Sequence, residues 1–372
     1  MTGDLRIADV TQWYSPTSGG IRTYLHAKAA YAAHAGTPHG LIVTRGAALL
    51  AGVAASRVVG VRGWTLPGRW GYHVALRSCA IIAALEAFEP SVIIIHDATA
   101  FPHTIARWAP RRAVAIVVMC HSHLADATIG LPRAVCALAT PVLDRIQRRA
   151  VRVGDRVIVA SEATRLRLVD HARAPIIVAR LGVDVDAFAQ ANADPELRAR
   201  LAGSGRLLVY AGRLSPEKRV TSLPDVLAAL PDAYSLVIAG AGISAVAIER
   251  PARAAGVADR LHMLGHISDR DALASLLATA DCFVHPNANE PFGLAPLEAA
   301  VAGCRVVIPA RAGAAAVLAH RGGTLVDDDA PVTLARGIES AMRTARPRIR
   351  PNDVSWGPVF EREWHLYEQL CR

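Results

Sequence analysis

The chain has 372 residues, too many for one ordinary hydrophobic core and enough for two domains. Apolar residues make up 52% and charged residues 20%, which excludes a disordered chain, and no uncharged apolar run reaches the length of a membrane span. The formal charge of +9 comes almost wholly from arginine, since lysine stands only at Lys28 and Lys218. No nucleic-acid-binding motif accompanies that charge and aromatics are only 5%, so nucleic acid is set aside as a partner.

The N-terminus has no signal-peptide layout and reads directly as a first strand. The six cysteines (Cys79, Cys120, Cys136, Cys282, Cys304 and Cys371) are scattered without a C-x-x-C pair, which fits a reducing cytoplasm better than a disulfide frame or a zinc site. Short β-branched runs predict strands at 5–10, 40–44, 91–97, 113–120, 155–161 and 175–182. A second series is predicted at 205–213, 234–242, 260–265, 281–287 and 304–310. Alanine- and leucine-rich helical segments separate them, which indicates α/β architecture with two doubly wound parallel sheets. The expected division is 1–182, 183–355 and a terminal helix 356–372 packing back on the first domain.

In open α/β sheets, ligands sit at the carboxyl ends of the strands, so the strand-to-helix turns carry the functional interest. Gly19 and Gly20 follow the first strand and open a helix expected from about Ile21, which suits either close ligand approach or a plain flexible loop. His121 and His123 follow the strand 113–120, where histidine can orient a hydroxyl, carry a proton or merely cap a turn. Arg213 and Lys218 flank Pro216 on a tight loop: two cations beside a helix start suit a diphosphate, or form a solvated cluster. The turn "AGAGISA" around Gly240 lacks G-x-G-x-x-G spacing, so no dinucleotide fingerprint is read there.

The run "HPNANEPFGLAPLEAA" places Glu290 on a loop that Pro291 and Gly293 keep irregular. Pro296 suits a first helical turn, which would put Glu298 in that turn and favour it through the helix dipole. Two carboxylates around free amides can accept the paired hydroxyls of a sugar or a ribose. Segment 141–156 carries five arginines among apolar residues: such a helix can lie on an anionic membrane, though an arginine-rich solvent face is the preferred reading. Residues 62–73 place aromatics beside arginine, as acceptor-side contact or ordinary packing, and "VDDDA" (326–330) reads as a solvated turn after a strand.

Together "SGGIRTYL", "CHS", "LGVDVDAF", "YAGRLSPEKR", "HISDR…LLATADCFVHP" and "EPFGLAPLEA" resemble glycosyltransferase family 4, over nearly the whole chain. Within it, the motifs are most similar to actinobacterial mannosyltransferases acting on phosphatidylinositol mannosides. The resemblance implies the GT-B architecture, two Rossmann-like domains facing across a cleft, and transfer with retention of anomeric configuration. It implies no cofactor and no metal. The donor would be a nucleoside-diphosphate sugar, GDP-mannose first and a UDP-sugar second, and the acceptor a lipid, glycan or small molecule.

By the same resemblance, Arg213 and Lys218 would hold the diphosphate, with Gly19 and Gly20 beside it from the first domain. Glu298 would bind the ribose. Glu290, with the amides of Phe292, Gly293 and Leu294, would hold the sugar, and His121 would contact it near the anomeric carbon. The base would lie along His262, Met263 and Leu264, near the Gly240 turn. Arg219 departs from the family pattern, standing where glycine is usual. Other readings are a nucleotide-sugar epimerase on the same architecture, or a silent nucleotide- or glycan-binding module.

Overall fold

A computed structural model describes residues 5–14, 19–44, 53–65, 73–179, 181–347 and 349–372. It divides into two compact units: the chain as far as Leu181 together with Trp356–Arg372, and Gly182–Ser355.

The strands of the first unit are β1 (Ile7–Thr11), β2 (His39–Val43), β3 (Arg57–Gly60), β4 (Trp64–Thr65), β5 (His73–Val74), β6 (Val92–Ile95), β7 (Ala115–Cys120), β8 (Arg156–Val159) and β9 (Ile176–Val178). Seven of them form one parallel sheet in the order β3-β2-β1-β6-β7-β8-β9, while β4 and β5 pair antiparallel. The central strands β1, β2 and β6 are buried at every position, as both faces are covered. Ala8 and Val10 of β1 pack with Ile93, Ile95, Ile116 and Val118 and with Ile81, Leu85 and Phe88 of the helix Cys79–Phe88. Each such aliphatic side chain contributes roughly 1.5–3 kcal/mol on burial.

Alternation along β1 leaves Asp9 on the other face, against the helices Gly19–His34 and Trp356–Leu370. The helix Trp356–Leu370 buries Val359, Phe360, Glu363, Trp364 and Tyr367, one amphipathic stripe. Phe360 lies 5.6 Å from Tyr24, Trp364 lies 4.9 Å from Tyr31, and the Trp364 indole donates to Thr37 Oγ1 at 3.0 Å.

The second unit holds β10 (Arg206–Ala211), β11 (Tyr234–Ala239), β12 (Leu261–Gly265), β13 (Cys282–Val284), β14 (Arg305–Pro309) and β15 (Thr324–Val326). They form a parallel sheet in the order β12-β11-β10-β13-β14-β15. Each sheet reverses its winding once, between β1 and β6 and between β10 and β13, and the carboxyl ends at those points are where α/β sheets take ligands.

Every strand expected from an apolar run is present, and several are trimmed where polar turn residues begin: β6 stops before His96 and Asp97, and β13 before His285 and Pro286. The edge strand β3 and the β4–β5 pair were not anticipated, because half-exposed or two-residue strands lack a continuous apolar run.

Candidate donor site

The loop after β10 carries Arg213, then a 3-10 turn over Pro216–Lys218. The Lys218 ammonium reaches Glu290 Oε2 at 2.5 Å, and the Arg213 guanidinium reaches Glu217 at 3.3 Å. Glu290 lies past β13 and its side chain is only 8% exposed. Burial would raise its carboxyl, but the Lys218 charge, then His285, the Lys218 hydrogen bond and Arg213, lower it to about 2. His285, buried at the end of β13 with Nε2 3.8 Å from the same carboxylate oxygen, is pushed down to about 4, chiefly by burial. At neutral pH the group is thus an ionised carboxylate, a paired ammonium and a neutral imidazole. Tyr210 completes it, donating its hydroxyl to the Arg213 carbonyl at 3.1 Å.

Backbone geometry holds these loops. Gly313 N–H donates to the Glu290 carbonyl at 2.7 Å, and a Cβ on Gly313 would meet the Pro291 carbonyl oxygen at 2.0 Å. Gly293 has φ of +79° and precedes the helix Leu294–Val301, with Phe292 just before it. A Cβ on Gly240 would meet the Gly212 carbonyl oxygen at 1.9 Å, and the Leu214 amide donates to the Ala241 carbonyl. The "AGAGISA" turn therefore packs against the loop that bears Arg213.

Glu298 differs from the expectation. The helix begins at Leu294, so Glu298 is its fifth residue and lies in the second turn, beyond the reach of the dipole. It is 12% exposed, and burial lifts its carboxyl to about 7, opposed by Arg270 at 4.0 Å and assisted by Asp184. Arg270 also pairs with Asp184 at 3.4 Å and stacks over Phe188, so Glu298 sits with the "LGVDVDAF" segment rather than on the Lys218 pair. Met263 and Leu264 are partly exposed on the edge strand β12. His262 hydrogen-bonds the Leu201 carbonyl at 2.9 Å. Arg219, where the family pattern has glycine, adopts a left-handed φ of +55°, and Asp329 holds its guanidinium at 3.2 Å. Asp329 also accepts from the Ala288 amide at 3.1 Å, so the 326–330 turn is a brace and not merely solvated.

In the first unit Gly19 and Gly20 are the opening residues of the helix Gly19–His34, two residues earlier than expected. His121 follows β7, buried, with its Nε2 2.7 Å from His96 Nδ1 and the two rings stacked. Burial, then His96, hold it well below the usual histidine range. His123 instead lies 3.4 Å from Asp144. The loop between them is tied down by Gln147, which accepts from the Leu124 amide and donates to the Ser122 carbonyl.

Gln147 and Ala150 are the buried residues of the helix Arg133–Ala150. Its Val135, Leu138, Val142 and Ile146 form an exposed apolar stripe, Leu138 being 78% exposed. The basic segment expected as 141–156 is thus the end of this helix, a 3-10 turn Val151–Val153 and the start of β8. Of residues 62–73, those at 66–72 lie outside the described residues; the ends form the β4–β5 pair, with Trp64 exposed. Ser18 of "SGGIRTYL" also lies outside them.

Sequence reasoning missed His285, Arg270, Asp184, Asp9 and His96. His285 had one signal, a polar residue at the carboxyl end of an apolar strand. Arg270 stood inside a matched motif, as did Asp184.

Two parallel Rossmann-like units are the GT-B fold, and solved structures agree. Sucrose-phosphate synthase from Thermosynechococcus elongatus superposes with a TM-score of 0.75 at 18% identity, covering 98% of this chain and 99% of that one. Anabaena HepE with UDP superposes at 0.75 and 16% identity, covering 99% and 100%. Residues 18–187 match the model of Glycosyltransferase Family 4, and 194–352 that of Glycosyl transferases group 1. A GDP-mannose-dependent alpha-(1-6)-phosphatidylinositol dimannoside mannosyltransferase of Mycobacterium tuberculosis is 30% identical over 93% of this chain and 90% of its own length. A GDP-mannose-dependent alpha-mannosyltransferase of Mycolicibacterium smegmatis is 29% identical over 71% and 66%. The chain belongs to glycosyltransferase family 4, its second unit being a group 1 domain, and it is a glycosyltransferase. Among the described residues no helix is long and apolar enough to cross a membrane.

Proposed function

We propose that the chain is a retaining, metal-independent hexosyltransferase that moves mannose from GDP-mannose to a hydroxyl of a lipid, glycan or small-molecule acceptor. The observation that carries this reading is the cation–carboxylate group at the reversal point of the second sheet, where Arg213 and Lys218 stand beside Glu290. A diphosphate gains fixed positive charge and forked donors from Arg213 and Lys218, which neutralise the departing nucleotide without a metal. Glu290 accepts sugar hydroxyls, and the amides of Phe292, Gly293 and Leu294 lie on the same turn. Glu298 accepts the ribose diol, which requires its carboxylate to ionise, and Met263 and Leu264 offer a partly exposed apolar edge to the base.

GDP-mannose is favoured by the two mannosyltransferase relatives. A cytoplasmic enzyme that rests on an anionic membrane is favoured by the stripe Val135, Leu138, Val142 and Ile146, with Arg145, Arg148 and Arg149 on the same helix. A thermal-shift panel of GDP, UDP, ADP and their sugars tests the donor: GDP and GDP-mannose should raise the melting temperature most. No shift with any of them at millimolar concentration would remove the donor site.

A further inference from the structure

Beneath His121 lies a set of polar groups that a core of this size does not need. The Asp9 carboxylate is fully buried in β1 and takes three donors: Lys28 Nζ at 2.8 Å and His96 Nε2 at 2.8 Å on Oδ1, and His39 Nε2 at 2.5 Å on Oδ2. Lys28, equally buried, also reaches the Tyr367 hydroxyl at 3.1 Å and Glu363 at 3.8 Å. The Tyr24 and Tyr367 hydroxyls donate to Glu363 Oε2, and Tyr24 presents its ring edge-on to both His96 and His121. Uncompensated buried charge is prohibitive, and here both carboxylates take hydrogen bonds from their neighbours.

We propose that Asp9 and His96 are positioning residues that lock His121 in its Nε2–H tautomer, making His121 Nδ1 an obligate acceptor for a sugar hydroxyl. The lock follows from counting protons. Burial alone would raise the Asp9 carboxyl, but Lys28 and then the His39 and His96 hydrogen bonds hold it well below the usual range, so it is ionised and can only accept. His96 Nε2 must therefore carry the proton it gives to Asp9. An imidazole carrying one proton donates through one nitrogen and accepts through the other, so His96 Nδ1 is the acceptor and the hydrogen at the 2.7 Å contact comes from His121 Nε2. A neutral His121 in that tautomer has no proton on Nδ1. It can receive a hydroxyl hydrogen there but cannot act as a general acid. The part concerning sugar rests on the proposed function; the tautomer rests on the geometry of the first unit alone.

Two-bond 1H–15N correlation spectra of the uniformly labelled full-length protein test the lock directly. His121→Gln identifies the resonance among the fourteen histidines. The expected wild-type pattern at pH 7 is a protonated Nε2 and a bare Nδ1. His96→Leu should abolish it and lower kcat by roughly tenfold to a hundredfold, the size of one lost or frustrated buried hydrogen bond. His96→Gln, whose amide can accept from His121 and donate to Asp9, should restore most of both. A wild-type Nδ1–H or doubly protonated His121 overturns the proposal whatever the protein transfers. So does an unchanged tautomer in His96→Leu, or an equal kcat loss in the leucine and glutamine variants. Absence of turnover with every nucleotide sugar would instead sink the functional reading while the spectrum decides the lock.

Discussion

Replacing Lys218 with methionine removes the ammonium that sits 2.5 Å from Glu290 but keeps most of the side-chain volume. The Glu290 carboxyl is held at about 2 against a usual 4.5, a gap worth roughly 3 kcal/mol at neutral pH. Lys218 is 19% exposed, and Arg213 and His285 remain beside the carboxylate, so the expected loss is nearer about 2 kcal/mol. The sign is that of a depressed carboxylate: its stabilisation is present above pH 4.5 and disappears as pH falls toward about 2. Lys218→Met should therefore be weakest at pH 7, with its deficit narrowing below pH 4.5 and closing only as pH falls to about 2. Hydrogen exchange of peptides spanning β10 and β13, followed across a urea series, reads the second unit locally in a chain whose two units need not unfold together. Adding Glu290→Gln to Lys218→Met should recover most of the loss, because no buried anion is then stranded. A loss below about 0.5 kcal/mol at pH 7, or an unchanged pH slope, would refute the claim that this pair is what keeps Glu290 ionised.

Glu298 should behave oppositely. Its carboxyl is raised to about 7, so stability is greatest below pH 4.5 and declines as pH rises through 7; Glu298→Gln should flatten that decline between pH 5 and 8 in melting curves. Arg219→Gly should leave the second unit as stable or up to about 1 kcal/mol more stable, since glycine takes a φ of +55° without strain and the lost Asp329 pair is half exposed. A clear drop in its midpoint would show that the ion pair outweighs the strain. Gly240→Ala should destabilise by several kcal/mol, because a methyl placed 1.9 Å from the Gly212 carbonyl oxygen must push the Arg213 loop aside; wild-type exchange at β10 and β11 would contradict this.

The sequence alone determined the alternation of apolar strands and helices, and hence parallel sheets, because strands buried on both faces must be continuously apolar. It also marked Arg213, Lys218, Glu290 and Glu298, since charged residues among prolines and glycines at strand ends are local signals. What local signals lack is distance across the chain. Lys218 meets Glu290 72 residues away, and His96 joins Asp9 to His121 across 87 and 25 residues. Tyr24 and Lys28 meet the terminal helix across 339 residues. Those meetings follow from strand order: β10 lies beside β13, and β1 beside β6 and then β7. The helix turn that bears Glu298 was misread for a related reason. Pro296 does lie in the first turn, but the helix starts directly after Gly293, at φ +79°, and that start carries Glu298 into the second turn. Tertiary structure decided which charges are buried together, and so which are ionised, because desolvation depends on neighbours that no periodicity in the chain records.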